Sequence, residues 1–258
     1  MHYGLAVQEC ERQLGLTETN GDMKQEITGF ELTISYNLGR LCEDKGDTEK
    51  AIEIYKKIVD GNPGYADAHL RLGAIEQAKG KVSDAIEHYK EVFDTNALNA
   101  DAWTMIGQAQ MSMNEKICKR SFEKVLKDCD KNDLYTHVAL GNYHSSTARE
   151  MKGDDKRAAR SEAYKLATGF FSQTLKRDPY NVYAANGIAI TLAERGYVNE
   201  AKDIFNQVRE SAVNNPSIWV NLAHVHVELG QFKQAAVMVS TSNIQRHNFR
   251  KNTHSLST

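Results

Sequence analysis

Residues 32–65 read LTISYNLGRLCEDKGDTEKAIEIYKKIVDGNPGY, and this stretch decides the fold. It predicts two short helices joined by one turn. Leu38 and Gly39 fall in the first helix, and Gly46 and Asp47 make the turn. Ala51, Tyr55 and Ile58 follow at i, i+4 and i+7, so they share one face of the second helix. Asn62-Pro63-Gly64 ends the pair, because proline cannot continue a helix and its predecessor avoids the helical region. Shifted by 34 residues, the same skeleton returns as Leu72, Gly73, Gly80, Ala85, Tyr89 and Val92. Two short amphipathic helices cannot bury their apolar faces alone, whereas stacked copies share a continuous core. Gly39 and Gly73 are expected where helices approach closely, and Ala51 and Ala85 where a larger side chain would push the pair apart. Tyr55 and Tyr89 are expected to fill the space between one repeat and the next.

A 34-residue period with Leu-Gly early, a small residue at position 20 and an aromatic at position 24 is the signature of the tetratricopeptide repeat (TPR). The fold class expected is all-α, a helix-turn-helix solenoid wound as a right-handed superhelix of about six repeats. Residues 1–31 read as part of a preceding repeat and an extended helix. The array then occupies 32–239, with repeats at 32–65, 66–99, 100–133, 134–181, 182–215 and an incomplete 216–239. In the third repeat Cys118 takes the place of the small alanine. In the fourth, Gly141 and Ala167 are 26 residues apart, against 12 for Gly39 and Ala51. The 14 extra residues surround REMKGDDKRAARSEAYK and read as a solvated extension of both helices. A partner or nucleic-acid contact through Arg149, Lys152, Lys156, Arg157 and Arg160 is the sharper reading, weakened by the interspersed Glu150, Asp154 and Asp155. Residues 240–258 lack helical periodicity and read as a disordered tail.

Composition narrows the function. The chain has 258 residues, three prolines and a formal net charge of −2, so no global attraction to nucleic acid is expected. Its four cysteines form no CxxC pair and no secreted-type framework, which points to a reducing compartment. The N-terminus lacks the basic and apolar regions of a secretory signal, and no apolar run reaches the roughly 20 residues of a membrane span. No contact with a membrane is therefore expected.

Catalytic and metal chemistry find no support. There is no GxSxG elbow, glycine-rich phosphate loop or HExxH motif. Nine histidines invite a metal reading, but His224 and His226 point to opposite sides of a helix. His69, His137 and His144 sit at packing positions, with no ligand set at zinc spacing. The chain is expected to be no enzyme and to use no cofactor.

Binding is what such an array offers. First-helix positions 2, 5, 9 and 12 line its groove, and here they supply Tyr36, Arg40, Leu70, Gln108, Tyr135, Asn142, Tyr183, Asn186 and His224. TPR co-chaperones hold a terminal carboxylate with Lys at positions 2 and 5 and Asn at 9. Here no repeat has Lys at 2 or 5, and only Asn142 fits position 9. A mixed aromatic, amide and apolar groove suits a long extended partner. A cytosolic co-chaperone adaptor is the alternative. So is the TPR arm of a larger transferase, although Asn37, Asn142, Asn186 and Asn221 do not recur at one position.

The stretch 178–229 is more specific than a generic repeat. Its runs NVYAANGIA, GYVNEAKDIFNQVRE and WVNLAHVHVE closely resemble the large TPR subunit of the polymerase-associated-factor (PAF) complex. YADAHLRLGAIEQAKG, NADAWTMIGQ and the interrupted repeat opening at ALGNYH resemble it too. The likeness covers about residues 30–237. It implies a nuclear, non-catalytic scaffold that holds the other PAF complex subunits on RNA polymerase II. Such a scaffold promotes transcription elongation and co-transcriptional histone modification, with no direct nucleic-acid contact. Members of that family are far longer, so the chain reads as a fragment.

Overall fold

Capping and turn chemistry set the helix boundaries. In the computed structural model, the described residues are Glu9, Arg12, 29–113, 116–212 and 215–255. Apart from Glu9 and Arg12, the part of 1–31 before Gly29 lies outside them, as do 256–258 of the expected tail. Among the described residues there are twelve α-helices and no strand. In the first three repeats the helices are α1 (Gly29–Asp44), α2 (Thr48–Gly61), α3 (Ala66–Ala78), α4 (Val82–Glu91), α5 (Ala100–Ser112) and α6 (Cys118–Lys124). The rest are α7 (Leu134–Glu150), α8 (Arg157–Arg177), α9 (Val182–Glu194), α10 (Val198–Ser211), α11 (Pro216–Glu228) and α12 (Phe232–Ser255). Asp47, Asn99, Asp133 and Asn181 each accept a hydrogen bond from the backbone N–H three residues on, which satisfies a donor the helix leaves open. Four of the first helices stop at a left-handed glycine. At Gly46 (φ +82°) the Asp47 N–H reaches back to the Cys42 carbonyl at 2.9 Å, and Gly80, Gly196 and Gly230 repeat the motif.

The chain divides into two compact units with a boundary after Cys129, the second being Asp130–Asn252. In the first unit, Leu38, Ala51, Tyr55, Ile58, Ala68 and Leu72 belong to one buried cluster. Leu70, Ala85, Tyr89, Val92, Ala102 and Ile106 belong to a second. A Cβ added at Gly39 would lie 2.6 Å from Tyr55 Cε1, and one added at Gly107 would lie 2.6 Å from Phe122 Cε1. The glycines are therefore seats for the aromatic rings of their own repeats. A polar bridge accompanies this packing. Tyr55 Oη donates to Glu43 Oε1 at 2.6 Å, and the Arg71 guanidinium holds both oxygens of the same carboxylate. Burial, then the Glu43 carboxylate, push the Tyr55 phenol well above its ordinary range. One repeat later Tyr89 Oη donates to Gln77 Oε1 at 2.9 Å.

In the second unit Phe171 is fully buried, with Gly141 of α7 and Gly187 of α9 both against its ring. The extra length of repeat four is shared between its helices. α7 has 17 residues and α8 has 21, against 13 and 14 for α9 and α10. The extension is not solvated throughout, because Ala148, Ala163 and Tyr164 form a small buried cluster of their own. Two of its cations are engaged: Arg149 pairs with Glu194 of the next repeat at 3.6 Å, and Arg160 Nη1 donates to the Met151 carbonyl at 3.0 Å.

The last helix corrects the sequence reading. An irregular tail was expected from 240, yet α12 runs unbroken to Ser255. Hydroxyls that usually compete with a helix instead bond along it, Ser240 to the Ala236 carbonyl and Thr241 to the Val237 carbonyl, both at 2.9 Å. Ser242 is buried and donates to the Pro216 carbonyl at 3.0 Å, which ties α12 to the start of α11.

Candidate protein-binding surface

The nine groove candidates separate by what surrounds them. In the first unit, Arg40 and Gln108 are exposed on α1 and α5. Tyr36 packs against the rings of Tyr55 and Tyr65 at 5.9 and 5.7 Å, and Leu70 is buried in the core beside Tyr89. Those two side chains are engaged in packing, Tyr36 with neighbouring rings and Leu70 with the core.

In the second unit the exposed candidates are Tyr135 (51 % exposed), Asn142, Tyr183 (68 % exposed) and His224. Asn186 is half-buried, and its Oδ1 accepts from Asn221 Nδ2 at 2.9 Å. The two amides come from neighbouring first helices, α9 and α11. Beside them lies a cleft of about 560 Å3, lined by Arg149, Ile190, Ala193, Glu194, Asn221, His224 and Glu228 among others. Asn221, His224 and Glu228 stand at i, i+3 and i+7, so they run down one face of α11. Along α9, Asn186, Ile190 and Glu194 do the same. The cleft thus grades from the Asn221 amide, with Asn186 bonded beside it, through an apolar middle to two carboxylates. Of these, Glu194 is engaged by Arg149 and by Tyr164 Oη at 3.4 Å. Burial, then Glu194, raise the Tyr164 phenol above its ordinary value.

Position counting missed Asn221, Arg149, Glu194 and Glu228. The signal was present as a spacing: Asn186 and Asn221 are 35 residues apart, one more than the repeat, which brings adjacent positions of neighbouring helices together. Several histidines act as packing groups. His69 bonds the Pro63 carbonyl, His137 lies between the Asp133 carbonyl and Gln173, and His144 stacks on Phe170 at 5.6 Å. Among the described residues no group of three or more His, Cys, Asp or Glu side chains is arranged to hold a metal ion. No described helix is long and apolar enough to cross a membrane.

Comparison with known proteins places these features. A tetratricopeptide repeat family model matches residues 44–108. RNA polymerase-associated protein CTR9 of Caenorhabditis elegans is 32 % identical over 250 residues, covering 93 % of this chain and 21 % of that protein. The CTR9 homolog of Arabidopsis thaliana is 35 % identical over 215 residues, covering 80 % of this chain and 19 % of that protein. The chain therefore spans about a fifth of the length of these relatives. Among solved structures, a tetratricopeptide repeat protein from Parabacteroides merdae superposes with a TM-score of 0.69 at 12 % identity, covering 98 % of this chain and 99 % of that one. At that identity the likeness speaks for the fold alone. The chain is an all-α tetratricopeptide-repeat protein, related over most of its length to a segment of the RNA polymerase-associated proteins named CTR9.

Proposed function

We propose that this chain is a non-catalytic scaffold segment that works in the nucleus within an RNA polymerase II-associated complex. It binds other PAF complex subunits and the polymerase, and so promotes elongation and co-transcriptional histone modification. The observation that carries the reading is the relationship to CTR9 across 93 % of the chain. Exposed tyrosine, asparagine and histidine side chains on the first helices supply a protein-binding surface consistent with it. The first-helix positions Arg40, Gln108, Tyr135, Asn142, Tyr183 and His224 are the contacts we assign to partners. The test is affinity purification of the tagged chain from nuclear extract. Recovery of RNA polymerase II with elongation-factor subunits is expected. An eluate holding neither would overturn the reading.

A further inference from the structure

The Asn186–Asn221 pair is half-spent in a specific way. Each side-chain amide carries a carbonyl acceptor and an NH2 donor. The single bond between them uses the Asn186 oxygen and one Asn221 hydrogen. What remains is the Asn186 NH2 and the Asn221 carbonyl, a donor and an acceptor on neighbouring helices. Exchanging oxygen and nitrogen in both amides leaves the same complement. Each residue of an extended chain but proline presents the matching acceptor and donor, its own C=O and N–H, toward one side. The pair is therefore suited to main chain rather than to a particular side chain.

The far end of the cleft has a different character. Glu228 stands exposed seven residues beyond Asn221 on α11, and Glu194 stands eight beyond Asn186 on α9. The charged lining is Arg149, Glu194 and Glu228, with His224 between the two ends. Arg149 offsets Glu194, so one carboxylate charge is left over, and a cationic side chain complements it. Ile190 and Ala193 form the apolar stretch between. Seven helical residues rise about 10 Å, which an extended chain covers in about three residues.

We propose that this cleft holds an extended peptide segment of a partner protein. The Asn186–Asn221 pair grips the C=O and N–H of one of its residues, which point the same way in an extended chain. Glu228, with Glu194, receives an arginine or lysine about three residues away. The inference rests on the protein-binding reading above but not on the identity of the complex. The probe is a short, acetylated and amidated peptide library, selected on the purified full chain. The bound pool is expected to be enriched in arginine or lysine at one position. Methylation of the peptide nitrogen about three residues from that position should weaken a selected peptide about tenfold or more. Asn221→Leu should do the same. Glu228→Lys, at an exposed site, should keep the melting temperature and turn the preference toward aspartate or glutamate. A pool without basic enrichment overturns the proposal, as does a Glu228→Lys chain that keeps the original preference. Equal affinity of Asn221→Leu or of the N-methyl peptide removes the main-chain grip. Nuclear purification separates this test from the wider reading. Selection that succeeds while purification recovers no polymerase overturns only the assignment to the complex. Failed selection with polymerase recovered overturns only the cleft.

Discussion

Single residues carry the packing through a glycine on one helix and an aromatic ring on another. Tyr89 is fully buried, so Tyr89→Ala is expected to cost about 3–5 kcal/mol in denaturant unfolding. Gly141→Ala tests the seat itself. Its Cβ would stand 2.5 Å from Phe171 Cε1, and that ring also meets Gly187, so it has nowhere to move. Overpacking of this kind costs about 1–3 kcal/mol, measurable as a lower melting temperature. Arg40→Glu, at an exposed position, should shift stability by under about 0.5 kcal/mol and leave the circular dichroism spectrum unchanged. Pull-down of complex subunits should nevertheless weaken, and undiminished recovery would place Arg40 outside the interface. Core residues were legible in the sequence because Ala51 and Tyr55 recur as Ala85 and Tyr89, and chance rarely repeats a spacing. Groove residues were less so. Tyr36 and Leu70 occupy groove positions by count, yet Tyr36 packs on two neighbouring rings and Leu70 is buried in the core. No single-helix count pairs Asn186 with Asn221, since that bond joins two helices.

At the level of elements, turns were easier to read than ends. Gly46, Gly80, Gly196 and Gly230 marked four of the six first-helix stops, because the left-handed backbone there disfavours other residues. Helix α12 was misread from its composition. Ser240 and Thr241 have weak helix propensity, but their hydroxyls bond the preceding turn, and Ser242 finds a buried partner at Pro216. Ser242→Ala should therefore cost about 1 kcal/mol and speed hydrogen exchange at the start of α11 more than at its end. Equal exchange along α11 in both chains would show that the bond to Pro216 holds nothing in place. Phe232, Val237 and Val239 remain exposed on α12, so its amides are expected to open more readily than those of α3 and α4.

Over the whole molecule, the 34-residue period made the array legible, since stacking repeats is the way such short helices bury a core. The division at Cys129 was not legible, because the repeat pattern continues across it. Periodicity also suggests that repeats are interchangeable modules, and one boundary is suited to a test. Repeats two and three both open with Ala-Asp-Ala, so excising 66–99 joins Tyr65 to the same three residues. The shortened chain is expected to fold, with helix content lowered in proportion, as read by circular dichroism. It should also be less stable than the loss of one repeat explains. Excision replaces Arg71 by Met105, and the Glu43 carboxylate, with a side chain only 15 % exposed, loses its guanidinium. Glu43→Gln in the shortened chain should recover about 1–3 kcal/mol. Gln77 already sets the precedent, accepting from Tyr89 ahead of a repeat that carries Met105. The Glu43–Arg71 pair thereby acts as an address. Two modules that share a skeleton are told apart by one matched charge, so the preference of repeat one for its neighbour is written in the side chains between them.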